Sequence, residues 1–448
     1  MMARFYSRYF PLKSLIALVS IFIMMAYTDS TANAQITKLA RKADTLAAQV
    51  EEKVIAWRRD FHEHPELSNR EYKTAEKVAK HLQSLGIETR TGVSNTGVVG
   101  LLKGGKPGPV VAVRADMDAL PITEATGLPF ASKVRTEYNG AEVGVMHACG
   151  HDCHTAMLMG VAEVLAGIRK DLPGSVKFIF QPAEEGAPNG EQSGADVMIE
   201  EGAFENPRPD VVFGQHVTND YKVGAIGYRP GGTMASVNTL RITVKGRQTH
   251  GAYPWDGVDP IVTASQIVLG LQTIVSRGID LTVAPAVVTI GIIEGGVRSN
   301  IIPDEVKMTG TIRTLDPEMK TVIHDRIRRI VSGIAESAGA TAEVSITGNL
   351  PVTWNDPGLA DKMRPTLERI HGGDNVIISK VHTGGEDFAY YAQEVPGLFV
   401  FLGTLPKGTK PEDAAPGHSP YFSVDEGALV YGVRTMTALV VDYMTQNK

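Results

Sequence analysis

The stretch Val145-Met146-His147-Ala148-Cys149-Gly150-His151-Asp152-Cys153-His154 gathers three histidines and both cysteines of a 448-residue chain. Thiolate and imidazole are preferred ligands of zinc and its neighbours, and a Cys-x-His pair on an extended turn can present both groups to one ion. The same residues allow other chemistry. Either cysteine, with a histidine beside it or two residues away, could be a nucleophile with its base. The two thiols could also close a disulfide, although a loop of four residues would gain little stability from it.

A second cluster, Gln181-Pro182-Ala183-Glu184-Glu185-Gly186, follows a β-rich run at 176–180. Adjacent residues leaving a strand point to different sides, so one carboxylate can bind a metal while the other faces the attacking water and acts as general base. A solvated acidic turn is the plainer alternative. Asp116 and Asp118 come directly after a run at 110–114. They could fix the tautomer of a histidine ligand or simply make a turn. His216 ends a third run, 211–214, and His418 lies in the loop after a fourth, 398–402. Ligands of open α/β sheets bind beyond the carboxyl ends of the strands, which is where these clusters fall. His62 and His64, next to a helix end before Pro65, read as structural or rim residues.

The elements that must position these groups follow from periodicity. Apolar residues recur at three- and four-residue spacing over 36–59, which predicts an amphipathic helix, and a second helix runs over 71–85 up to Gly86. A helix at 155–168 follows the Cys/His cluster. From 227 to 348 the pattern changes to a strand at 237–246, a helix at 258–277, strands at 285–293 and 304–314, a helix at 317–338 and a strand at 341–347. That β-α-β-β-α-β order is the split pattern of a ferredoxin-like sandwich. The expected fold class is α/β. A catalytic domain with a mixed sheet flanked by helices spans 35–226 and 349–448, and a ferredoxin-like α+β domain is inserted at 227–348.

The chain opens with Arg4, Arg8 and Lys13, an apolar stretch at 15–26, and Ala32-Asn33-Ala34. This predicts a secretory signal peptide over 1–34, with an apolar run too short to span a bilayer comfortably. No cysteine near the cleavage point favours a lipid anchor. Losing three cations and Asp29 with the leader shifts the formal charge from −6 to −8. The absence of a basic stripe or Lys/Arg block argues against nucleic acid and anionic membrane as partners. Both cysteines lie in the one cluster, which leaves none for structural bridges despite the oxidising destination.

Together, the segments 147–156, Arg114-Ala115-Asp116-Met117-Asp118-Ala119-Leu120-Pro121, 181–186 and Gly384-Gly385-Glu386-Asp387-Phe388 resemble the aminoacylase, hippurate hydrolase and auxin-amino-acid-conjugate hydrolase group of di-metal amidohydrolases. The resemblance covers essentially the whole mature chain. It implies Cys149, His151, Glu185, His216 and His418 as metal ligands, Glu184 as catalytic base, and Asp118 behind a histidine ligand. It implies two divalent ions per subunit, zinc or manganese first, with cobalt and nickel compatible. The inserted domain matches a lid that also dimerises. There His250 would stabilise the oxyanion, while Asn300 and Arg313 would hold the substrate carboxylate, Arg313 by a bidentate contact. Cys153 is left as a small buried residue. The expected function is hydrolysis of small-molecule N-acyl amino acids by an exported enzyme, periplasmic or secreted. The rivals are a dipeptidase or carboxypeptidase on the same site, amide cleavage by a cysteine nucleophile, and a binding relative without turnover.

Overall fold

The computed structural model describes residues 38–447. The expected leader, 1–34, lies outside the described residues. A helical stretch over 38–49 turns at Val50 into α1 (Glu51–Glu63). The first amphipathic pattern is therefore two helices. The second ends one residue before His64, which Pro65 biases away from helical torsions. Helix α2 (Tyr72–Ser84) follows.

The large sheet is built from β1 (Glu88–Val93), β2 (Gly97–Lys103), β3 (Lys106–Asp116), β4 (Pro173–Gln181), β5 (Val211–Lys222) and β6 (Ile226–Tyr228), then β11 (Val376–Ile378) and β12 (Gly397–Leu405) late in the chain. Their spatial order is β1-β2-β4-β3-β5-β12-β6-β11. The four central strands run parallel and the flanks include antiparallel pairs, so the sheet is mixed. Period-two alternation divides each central strand between two cores. Val111, Val113, Phe178, Phe180, Leu398 and Val400 face one side with α1, α3 (His151–Gly167) and α8 (Leu429–Gln446). Ala112, Ile179, Phe399 and Phe401 face the other with α7 (Phe388–Glu394) and the short helix Ala195–Glu200. Burial on both faces explains why these strands read as continuous apolar runs.

Two elements differ from the sequence expectation in a way that moves the chemistry. Helix α3 starts at His151, four residues early, so the second half of the Cys/His cluster is its first turn. Strand β5 continues to Lys222, and His216 is inside it, level with Phe401 of β12.

Residues 236–350 form their own antiparallel sheet of β7 (Ser236–Lys245), β8 (Ala286–Gly295), β9 (Glu305–Thr314) and β10 (Thr341–Leu350), in the order β8-β9-β7-β10. Helices α4 (Pro260–Thr273) and α5 (Pro317–Ser337) cover one face around a separate core that includes Leu240, Ile267, Ile312 and Ile327. Asp259 and Asp316 cap these helices, accepting from Ile261 N and Met319 N, each followed by proline at the first helical position. Asp356 does the same for α6 (Pro357–His371). Among the described residues no helix is long and apolar enough to cross a membrane.

Candidate metal centre

Side-chain donors from four distant parts of the chain converge beyond the carboxyl end of β4 and beside the middle of β5. His151 lies in the first turn of α3, and its Nδ1–H donates to the Asp118 carbonyl at 2.9 Å with Asp118 Oδ1 at 3.1 Å. This leaves Nε2 buried and without a partner. His216 Nδ1–H donates to the Val217 carbonyl at 2.6 Å, which turns Nε2 toward Cys149 Sγ at 3.3 Å. His418 Nε2 stands 3.0 Å from Glu185 Oε1. The donor atoms of Cys149, His151 and His216 lie within 4.8 Å of one another, as do those of Cys149, Glu185 and His418, and those of His151, Glu184 and Glu185.

The electrostatics suit cations. Burial, reinforced by the Glu185 carboxylate, pushes the Cys149 thiol up to about 12, so only a bound cation would keep it a thiolate. Burial and the neighbouring His154 push His216 down to about 3, leaving a neutral imidazole with a free lone pair. The orphaned His151 Nε2, the thiol and the two-histidine, one-carboxylate remainder fit two divalent ions with soft, borderline and hard donors together.

Backbone conformations that side chains seldom adopt hold these donors. Gly150, between Cys149 and His151, has φ +94°, and a Cβ there would sit 2.3 Å from Val217 Cγ2. His418 and Ala183 are left-handed without being glycine, at φ +65° and +52°. Such strain persists where surrounding contacts over-determine it, and it gathers at functional sites. Asp118 supplies some of those contacts, accepting from Glu184 N and Glu185 N at 3.1 Å each and from Ser68 Oγ at 2.8 Å. Glu71 accepts from Ala183 N at 3.0 Å and from Thr96 Oγ1 at 2.6 Å. Burial, with Asp118 nearby, pushes its carboxyl up to about 8.

Behind the ligands lies a buried polar network. His154 Nδ1–H donates to Asp116 Oδ1 at 2.6 Å, and its Nε2 accepts from Val217 N at 2.9 Å, which fixes the backbone next to His216. Arg114, fully enclosed, donates to Asp116 at 2.5 Å, Gln181 at 2.8 Å and Asp387 at 2.7 Å, with Glu386 at 3.0 Å. Glu184 has its own surroundings. It groups with Glu386 and Asp387, and burial, followed by those carboxylates and Glu185, holds its carboxyl well above the ordinary carboxylate range.

Sequence reasoning missed Glu71, Arg114, His154, Glu386 and Asp387 as parts of the site. The Gly384–Phe388 segment was visible only as a motif without a role, and nothing in the sequence marks Glu71. The three residues expected from the inserted domain make no hydrogen bond to the converging donors. His250 and Asn300 lie exposed on adjacent segments, where Gly251 N donates to Asn300 O at 2.8 Å. Arg313 is on β9, with its Nη1 buried and unpartnered. Cys153 is fully buried and free. A cavity of about 280 Å³ opens beside Cys149 and His216, walled by Met234, His382, Phe401 and Phe422. A larger recess of about 380 Å³ near His64, Arg70 and Tyr138 touches none of the converging donors.

Comparison with known proteins places this arrangement. Residues 112–442 match the model of peptidase family M20/M25/M40. Thermostable carboxypeptidase 2 of Saccharolobus solfataricus is 40% identical over 90% of this chain and 99% of its own length. N-acetylcysteine deacetylase of Bacillus subtilis is 41% identical over 87% of this chain and 96% of its own. Among solved structures, the Bacillus subtilis YXEP protein, a dinuclear metal-binding peptidase from the M20 family, superposes with a TM-score of 0.75 at 38% identity, covering 89% of this chain and 99% of that one. With two ions' worth of ligands gathered in one cleft and relatives matched along nearly their full length, the chain belongs to peptidase family M20/M25/M40, as a metal-dependent hydrolase acting on amides.

Proposed function

We propose that this protein cleaves the amide of N-acyl amino acids, releasing a carboxylic acid and a free amino acid. The observation that carries the reading is the division of labour within one turn. Glu185 reaches His418 and the Cys149 side, while Glu184 is turned to Glu386 and Asp387, 3.8 Å from His151 Nε2. Two divalent ions held by Cys149, His151, Glu185, His216 and His418 would polarise the amide carbonyl and activate water; zinc and manganese suit this donor set, as do cobalt and nickel. Glu184 takes the proton from the attacking water and delivers it to the departing nitrogen. Asp118 keeps His151 in the tautomer that presents Nε2.

On the substrate side, the cavity beside Cys149 offers Met234, Phe401 and Phe422 to an apolar acyl group. The unpartnered Nη1 of Arg313 supports pairing with the free α-carboxylate, Asn300 assists it, and His250 stabilises the oxyanion. The outer edge of β8, with Ile292 and Ile293 exposed, supports a homodimer through the inserted domain, which acts as lid over a catalytic unit of 35–226 and 349–448. The leader directs export to the periplasm or medium, with the mature chain starting at Gln35.

The carboxypeptidase relative favours a second reading, removal of a C-terminal residue from a peptide. Both reactions need a free carboxylate next to the scissile amide, so the acyl side decides between them. The test is amino-acid release by the metal-loaded mature protein from N-acetyl, N-benzoyl and indole-acetyl amino acids, with dipeptides alongside. Turnover of acylated substrates but not dipeptides, abolished by chelator, supports the amidohydrolase. Cleavage of dipeptides alone selects the peptidase.

A further inference from the structure

The turn 183–185 has three successive backbone N–H groups, and two buried carboxylates receive all three. Asp118 takes those of Glu184 and Glu185, and Glu71 takes that of Ala183, the left-handed residue that sets the direction of the pair. Glu71 is 0% exposed and forms no ion pair with any cation among the described residues. A buried carboxyl costs free energy unless its oxygens find hydrogen-bond partners, so those partners show what the side chain is there to hold. Capping α2 is not its role. Glu71 stands at the N-cap position but makes no side-chain cap, and Glu66 instead accepts from Lys73 N and Thr74 N in the first turn. Apart from the Thr96 hydroxyl and its own N–H, the group that the Glu71 side chain serves is Ala183 N.

We infer that Glu71 is a positioning residue of the catalytic turn, holding Ala183 in its left-handed conformation so that Glu184 and Glu185 are aimed at their separate tasks. It touches neither substrate nor reacting atoms and acts through the backbone. The inference rests on the reading of Glu184 as base and Glu185 as ligand, and deepens it.

The test is a mutant cycle on the full mature chain. Glycine adopts φ +52° without strain, so Ala183→Gly should make the turn less dependent on its clamp. Displacing catalytic groups by a fraction of an ångström to 1 Å predicts that Glu71→Ala lowers kcat roughly 10- to 100-fold with KM changed less than about threefold. Glu71→Gln, which keeps an acceptor oxygen toward Ala183, should stay within about fivefold of the parent. The loss caused by Glu71→Ala should shrink at least about fivefold when measured in the Ala183→Gly background. A parallel titration of the metal-free proteins with Co²⁺, read by the thiolate–cobalt absorption, should show weaker binding in Glu71→Ala and recovery in the double variant. That readout does not depend on which amide is cleaved or on Glu184 being the base, whereas Glu184→Gln tests the base alone. Unchanged kcat in Glu71→Ala, equal damage from Ala and Gln, or no recovery on adding Ala183→Gly would each overturn the inference. Should Glu71→Ala not fold, return of soluble protein in the double variant supports it and continued insolubility overturns it.

Discussion

Replacing Gly150 by alanine sets two separable penalties against the metal centre. At φ +94° an alanine gives up roughly 1–2 kcal/mol of backbone conformational energy. Its Cβ would also fall 2.3 Å from Val217 Cγ2, an overlap that core overpacking values put at about 1–3 kcal/mol. The sum, about 2–5 kcal/mol, falls between two ligands, with Val217 itself adjoining a third, His216. Where the fold absorbs it, the midpoint of thermal unfolding of the metal-free protein should fall by roughly 2–6 °C. Where the cleft absorbs it, metal affinity should weaken about 30-fold or more, at tenfold for each 1.4 kcal/mol. Scanning calorimetry and metal titration together account for the whole. Adding Val217→Ala removes the contacted methyl, so it should return the overpacking part and leave the backbone part. A Gly150→Ala protein that melts within a degree of the parent with unchanged metal affinity would refute the reasoning. A second substitution that restores nothing would refute the steric share.

Other outcomes follow from the same geometry. Glu184→Gln should retain both metal ions, by elemental analysis, and lose roughly 10²- to 10⁴-fold in kcat; near-parental turnover would remove Glu184 as base. His418→Ala should lower metal content, and normal stoichiometry would argue against His418 as a ligand. His62 offers a pH test. Burial alone would lower its pKa, but hydrogen bonds to Asp152 and Glu124 outweigh burial and raise it. A folded value above the unfolded one means a contribution fully present below about pH 6.5 and lost as pH rises through the folded value. The melting-temperature deficit of His62→Gln should therefore be largest at acid pH and narrow as pH rises; a deficit that widens would reverse the sign of the argument.

The parts of this fold that were legible in the sequence are those written in periodicity and in local chemistry. The central strands announce themselves because burial on both faces demands unbroken apolar runs, and the inserted sheet because its six elements keep their order. The candidate donors were visible as clusters of Cys, His and Glu, but the local pattern left a nucleophile, a disulfide and a solvated acidic turn open, and only the resemblance singled out metal ligation. What stayed hidden was polarity satisfied at long range. Residues 151–154 look like a loop because three of the four are polar, yet they start a helix: Asp118 engages His151, Arg58 and His62 engage Asp152, and Asp116 engages His154. The run at 211–214 likewise reads as ending at His216, but the strand continues to Lys222, paired with β12. Arg114 and Asp387 are 273 positions apart, and Glu71 and Ala183 are 112 apart. No spacing rule connects such pairs before the sheet has brought them together.

The place of β12 in the sheet also sets an order of assembly. It lies between β5 and β6 although it is the last strand in the chain, and the loop after it carries His418. The inserted sheet is contiguous in sequence and has its own core, so it can form as soon as its residues are available. The main sheet keeps a gap between β5 and β6 until about residue 405 arrives, and its pairings across that gap are among the most non-local in the sheet. Of the candidate donors, His418 is thus the last to be made. A chain stopped short of its last fifty residues would carry Cys149, His151, Glu184, Glu185 and His216 without His418 and without the strand that joins β5 to β6.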